Sequence, residues 1–159
     1  LKFNIGEQDN KLDIGIICKA CQDLSNSKTG ALLVITHADD LAFFSESGVQ
    51  IGSDITIPLL KSIFFKNSPL HDGAVIIRGN KIVAARCVLP VTNNTDFPAH
   101  LGMRHRAAVG ISEETDAVVI IVSEQNGEIS FAKEGKLQNH CSGEKLEKLL
   151  NFEAAKLSA

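Results

Sequence analysis

The sequence predicts an α/β domain, a single unit with one central mixed β-sheet flanked by helices. Two continuous apolar runs, Ala31-Leu32-Leu33-Val34-Ile35 and Ala117-Val118-Val119-Ile120-Ile121-Val122, have the length and β-branched content of strands buried on both faces. Two turn pairs, Gly79-Asn80 and Asn126-Gly127, sit between apolar segments and mark antiparallel hairpins. Between these strands lie stretches whose apolar residues recur at helical spacing. Hairpins set among helices imply a sheet that is mixed rather than purely parallel.

Each element follows in order. A helix is predicted over 10–27, where Leu12, Ile16, Ala20 and Leu24 recur at fours and Ile17 and Cys21 widen the stripe. Gly30 releases the chain into the first strand. Asp39-Asp40 makes a turn. Leu41-Ala42-Phe43-Phe44 reads as a short strand or extended piece, and 48–53 reads as loop. A helix follows with Pro58 in its first turn, where a missing N–H does no harm, and Leu59, Leu60, Ile63 and Phe64 face the sheet. Pro69 closes that segment. Residues 74–77 and 81–85 flank the first hairpin turn, the second strand running on to Pro90, and 91–98 is an exposed loop. A helix over 100–112 buries Leu101, Ala108 and Ile111. The strand at 117–122 returns through Asn126-Gly127 to 129–132, and Gly135 breaks it. Ser142 caps a last, peripheral helix over 143–157, lined by Leu146, Leu149 and Leu150 and carrying the i,i+4 pair Glu144–Lys148.

With 159 residues and 44% hydrophobic content, one domain can bury a core without staples. A net charge of −3 argues against a general nucleic-acid binder and makes any basic site local, suited to a small anion. The four cysteines show no disulfide framework, which implies a reducing compartment. Cys18 and Cys21 form a CxxC that could be half of a redox or metal site, but they sit in a helical pattern with no second pair and read as small core residues. No run reaches the ~18–20 apolar residues that span a bilayer, and no signal peptide is visible. A start at Leu1 rather than Met suggests an excised fragment.

The chemistry concentrates in two runs, His71-Asp72-Gly73-Ala74 and Gly102-Met103-Arg104-His105-Arg106. Arg offers a planar fork of donors suited to phosphate. A carboxylate beside such a cluster suits a divalent metal, because Mg²⁺ usually takes one or two carboxylates plus substrate phosphates. Asp72 is then a metal and active-site group, or a simple turn former. Gly73 leaves room for a ligand to approach the backbone. His71 is a second metal ligand or a loop residue. Ser123-Glu124 ends the strongest strand, where Glu124 could complete a metal shell and Ser123 touch phosphate, or both could be solvated. Arg104, His105 and Arg106 are about 100° apart on a helix, so one of them packs structurally while the others meet phosphate. A helix starting just before them adds its free N–H groups.

Asp-Gly-Ala at 72–74, Arg-His-Arg at 104–106 and the following Ala-Ala-Val-Gly-Ile-Ser-Glu together resemble the diadenylate cyclase (DAC, DisA_N-type) domain, over roughly 29–137. Within that family the likeness is nearest to the catalytic domain of membrane-anchored CdaA-type cyclases. The resemblance implies an α/β catalytic domain occupying 1–159, which condenses two ATP into cyclic di-AMP and releases two pyrophosphates. It implies Mg²⁺ or Mn²⁺ as cofactor, with Asp72, Arg104, His105 and Arg106 catalytic. By the same likeness Gly73, Ala74, Leu89, Met103 and Ser123 contact ATP, and Asp72, His71 and Glu124 hold the metal. It further implies a homodimer, because two equivalent 3′–5′ links need two equivalent half-sites. No nucleic-acid partner is implied. The membrane is met only through segments absent from this chain, which is itself expected to be soluble, at the cytoplasmic face of the cell membrane in the full-length parent. Two positions depart from the family pattern. Met103 stands where relatives commonly carry Thr, and Val88 where many carry an aromatic, so adenine must rest on aliphatic residues such as Leu89 or on Phe. A non-catalytic sensor of ATP or a dinucleotide is the alternative; a phosphohydrolase should show a denser Asp/His cluster.

Overall fold

The computed structural model describes residues 11–94 and 96–157. Along the chain come α1 (Ile14–Asn26), β1 (Ala31–Ile35), α2 (Ala42–Ser45), β2 (Val49–Asp54), α3 (Ile57–Phe64), β3 (Ala74–Arg78) and β4 (Lys81–Cys87). They are followed by α4 (Met103–Glu114), β5 (Val118–Val122), β6 (Ile129–Lys133), β7 (Lys136–Gln138) and α5 (Gly143–Leu157). The strands form one seven-stranded sheet in the order β2-β4-β3-β1-β5-β6-β7. Only β1 and β3 run parallel; β1–β5 and every other pair are antiparallel. The expected mixed sheet flanked by helices is the observed fold.

Alternation along the central strands divides their side chains between two cores. Leu33, Ile35, Val75, Ile77, Val118 and Ile120 point into the layer under α1, α3 and α5. Leu32, Val34, Ile76, Val119 and Ile121 point into the layer under α4 and α2. Both faces are covered, which is why β1 and β5 are apolar at every position. Each fully buried aliphatic side chain contributes about 1.5–3 kcal/mol, so stability resides in the sheet centre and its rim is free to carry charge. Helix starts follow the caps: Asp13 accepts from the Ile16 N–H at 3.1 Å, Thr56 from Leu59 at 3.1 Å and Ser142 from Lys145 at 3.1 Å.

Several boundaries differ from expectation. Residues 42–45 are a helical turn, because Asp39 and Asp40 accept the Leu41 and Ala42 N–H groups and Leu41 takes φ 57. The stretch expected as loop at 48–53 is edge strand β2 on β4, and Lys136–Gln138 adds β7 at the other edge. Strand β4 ends at Cys87, where Arg86 turns to φ 56. Helix α4 begins at Met103 because 98–101 closes a turn of its own, with the Leu101 N–H donating to the Pro98 carbonyl at 3.1 Å. The first helix begins at Ile14; Asn10 lies outside the described residues. Helix α5 is not peripheral, since Leu146 and Leu150 are fully buried in the larger core.

Candidate active site

Because β5 is antiparallel to β1 and β3, its C-terminal end lies beside their N-terminal ends. Ala31 pairs with Val122, and Leu33 with Val75. The residues flanking those ends therefore meet: Gly30 before β1, His71-Asp72-Gly73 before β3, and Ser123-Glu124 after β5. The first turn of α4 covers the same end, with Gly102 as an N-cap that offers no side chain. The unpaired first N–H groups of a helix carry its positive pole.

Three hollows of about 710, 720 and 670 Å³ open along this end. Arg104 lines all three. His71, Asp72, His105, Ser123 and Glu124 meet it in the first. Lys28, Lys61 and Lys66 line the second, with His71 and Glu124. The third is apolar on one side, with Leu89, Val88 and Met103 facing Asp72 and Gly73. Ala74 is fully buried in the sheet and lines none of these hollows, nor does Arg106.

The three consecutive basic residues of α4 have different surroundings, as their angular spacing requires. Arg104 directs Nη1 toward Glu124 Oε1 at 3.5 Å, while its buried Nε has no partner among the described residues. His105 is only 7% exposed. Burial depresses its pKa, Arg104 and His100 push the same way, and Glu128 opposes them, so the imidazole is favoured neutral. Arg106 turns away: its guanidinium stacks 4.9 Å from the centre of the Phe97 ring, and its carbonyl accepts from the Thr92 N–H at 3.1 Å. Arg106 is the member of the trio that packs.

The remaining groups are poised individually. Asp72 is exposed, and its carboxylate meets no partner among the described residues. Gly73 takes φ 118, and a Cβ there would lie 2.9 Å from the Arg86 carbonyl carbon and Cys87 oxygen, so its bareness lets β4 approach as well as opening the third hollow. Ser123 Oγ accepts from the Gln125 and Asn126 N–H groups at 3.1 and 3.4 Å, which leaves its hydroxyl proton to donate. Val88 and Met103 are 69% and 65% exposed, a large apolar display for so polar a rim.

No three His, Cys, Asp or Glu side chains among the described residues form a ready-made metal cage. Asp72 and Glu124 are carboxylate donors of the kind a hard divalent cation takes when phosphate oxygens complete its shell, whereas the His71 imidazole suits softer ions. His71 Nδ1 donates to the Ser68 carbonyl at 2.7 Å, so the neutral form of the ring presents Nε2 as its acceptor. Among the described residues Asp72 is unpaired, and Glu124 has its long contact to Arg104 alone. Cys18 and Cys21 supply nothing here: burial raises the first thiol to about 11 and pushes the second up further, so both stay protonated in the α1 packing.

Sequence reasoning missed part of the first hollow. Of the chain's five histidines, His71, His100, His105 and His140 all line it. His140 Nδ1 pairs with Glu128 Oε1 at 2.9 Å. His100 and His140, the two that the motifs do not include, come from separate loops and have no local spacing to announce them.

The sequence model of the DisA bacterial checkpoint controller nucleotide-binding (DAC) family matches residues 18–137. Cyclic di-AMP synthase CdaS of Bacillus subtilis is 49% identical over 121 residues, 76% of this chain and 58% of its own length. Cyclic di-AMP synthase CdaA of the same organism is 41% identical over 150 residues, 94% of this chain and 55% of its own length. The chain thus spans somewhat over half of these relatives. A crystal structure of a DacA double mutant from Staphylococcus aureus superposes with TM-score 0.86 at 44% identity, covering 87% of this chain and 93% of that one. With three quarters of its length matched and relatives above 40% identity, the chain belongs to the DAC family.

Proposed function

We propose that the chain is the catalytic domain of a diadenylate cyclase, occupying residues 1–159, which joins two ATP molecules into cyclic di-AMP. In each half-reaction the 3′-oxygen of one ATP attacks the α-phosphorus of the other. The new 3′-O–P bond forms, the bond to the pyrophosphate oxygen breaks, and the hydroxyl proton leaves to a base. Repeating the step closes the ring and releases the second pyrophosphate.

The observation that carries this reading is the convergence of Asp72, Arg104, His105 and Ser123 on one hollow, with an apolar wall next to it. Arg104, the free amides of α4 and the Ser123 hydroxyl bind the phosphates, where fixed donors need no reorganisation during reaction. His105, held neutral, adds a hydrogen bond without a further charge. Leu89, Val88 and Met103 supply the apolar face for adenine. Asp72 stands between the two hollows, where the ribose would lie, and takes the 3′-hydroxyl proton. His71, Asp72 and Glu124, which line the same hollow, would hold Mg²⁺ or Mn²⁺ only together with phosphate oxygens, and the ion would neutralise charge on the triphosphate and the departing pyrophosphate. Arg106 supports the 92–97 segment.

One domain holds one ATP, so two copies face each other across a two-fold axis, and in-line placement replaces a bimolecular encounter. No helix among the described residues is long and apolar enough to cross a membrane.

The test is to incubate the chain with ATP and Mg²⁺ or Mn²⁺, identify the product, and repeat the initial rates over a dilution series alongside sizing. Cyclic di-AMP and pyrophosphate are expected, with specific activity falling on dilution. ADP and phosphate would make the chain a hydrolase, and ATP bound without turnover a sensor. Constant specific activity from a monomer would remove the two-copy mechanism.

A further inference from the structure

We infer that Gly30 is a positioning residue that seats the Arg104 guanidinium. A Cβ on Gly30 would lie 2.5 Å from Arg104 Cζ, 2.5 Å from Nη1 and 2.9 Å from Nη2. Three atoms of one planar group at nearly equal distance mean that the guanidinium lies flat across the bare face of this glycine. The bareness has no backbone cause, because Gly30 is absent from the positive-φ glycines. It is also buried. Only the space is required.

The seat sits where it can matter. Gly30 immediately precedes β1, whose Ala31 pairs with Val122, so it lies level with Ser123 and Glu124. Glu124 Oε1 then holds one edge of the same guanidinium at 3.5 Å. A surface beneath and a carboxylate at one edge fix the plane, and Nε has no partner among the described residues. A planar fork binds phosphate well only when its plane is aligned with the oxygens it meets. The inference rests on the reading that Arg104 takes the phosphate end of the nucleotide. It adds the residue that sets the fork's orientation. Because the clash is with the far end of a flexible side chain, an added methyl displaces the guanidinium rather than the backbone.

The experiment is a double-mutant cycle of wild type, Gly30→Ala, Arg104→Ala and the double variant. It is read by calorimetric binding of inorganic tripolyphosphate, by melting temperature and by ATP kinetics. Gly30→Ala should lose tripolyphosphate affinity by about ten- to fiftyfold, the scale of a charge-assisted hydrogen bond. With ATP the loss should fall on KM more than on kcat. In the Arg104→Ala background the same substitution should change affinity by less than about twofold, because the group it displaces is gone. Gly15→Ala, whose Cβ would approach only Asp13 Oδ1 at 3.4 Å, should bind as wild type. If Gly30→Ala lowers the melting temperature, that deficit should vanish in the Arg104→Ala background. Equal losses in both backgrounds, in affinity or in melting, overturn the seat, as does wild-type affinity for Gly30→Ala. A wild type that yields no cyclic di-AMP would overturn the cyclase reading alone, since the melting and tripolyphosphate cycles need no turnover.

Discussion

Arg104 and Arg106 are two residues apart in the same helix, and their replacement by Ala should give opposite profiles. Arg104 faces the hollows, and its sole ionic partner among the described residues is Glu124, whose side chain is 67% exposed. Such exposed pairs are worth about 0–1 kcal/mol, and removing the unpartnered Nε removes a buried polar atom, so folding should change by less than ~1 kcal/mol. The phosphate contact is another matter. Hydrogen bonds from a charged donor contribute about 1.5–3 kcal/mol, so Arg104→Ala should weaken tripolyphosphate binding by roughly 10- to 150-fold. Arg106 stacks on Phe97 and lines no hollow. Its cation–π contact is worth about 0.5–1 kcal/mol, which for a domain of this size is a melting shift of about 1–4 °C. Its phosphate affinity should stay within about threefold of wild type. Calorimetry and thermal melts on the two variants, side by side, check both halves. A larger affinity loss for Arg106→Ala than for Arg104→Ala would refute the division of labour in α4.

Asp72→Asn keeps the size of the side chain and removes its charge, so turnover should fall by about a thousandfold while metal-free tripolyphosphate affinity is retained; product assays and calorimetry separate the two. His105 gives a pH signature. Its folded pKa is depressed by burial, so the unfolded chain takes up the proton first, and stability should drop as pH falls through the unfolded value of about 6.5 and level off below the folded one. Melting temperatures of wild type and His105→Gln across that window should show a shallower acid limb in the variant; parallel curves would remove His105 as the cause.

The core strands were legible because burial on both faces leaves no polar position in β1 or β5 to confuse the period. Edges were not. In β2, Val49, Gln50, Ser53 and Asp54 show little contrast, because one side of the strand meets solvent and Gly52 interrupts the pattern. The four apolar residues at 41–44 cannot reveal their period, and the structure settles them through the Asp39 and Asp40 side chains. At the candidate site, local motifs exposed His71, Asp72, Arg104, Ser123 and Glu124. The angular argument foretold that one of the α4 trio would pack, but only Phe97, on a separate loop, decides that it is Arg106. Gly30 stayed silent for the same reason: what it contacts is distant along the chain.

The central place of β1 has a kinetic meaning. Three strands lie on each side of it, β2-β4-β3 and β5-β6-β7, and within each trio neighbouring strands are joined by antiparallel pairing. The hairpins β3–β4 and β5–β6–β7 close short loops, whereas β1 reaches both β3 and β5 across long stretches of chain, the slower kind of contact to form. His71 and Asp72 belong to one trio, and Ser123 and Glu124 to the other. The first hollow draws on both trios, whereas the third is lined from the β2-β4-β3 side, α4 and Leu32 of β1. Because β1, with Gly30 at its head, pairs with β3 on one side and β5 on the other, those slow long-range contacts are the same ones that set the two groups of charges face to face in the first hollow.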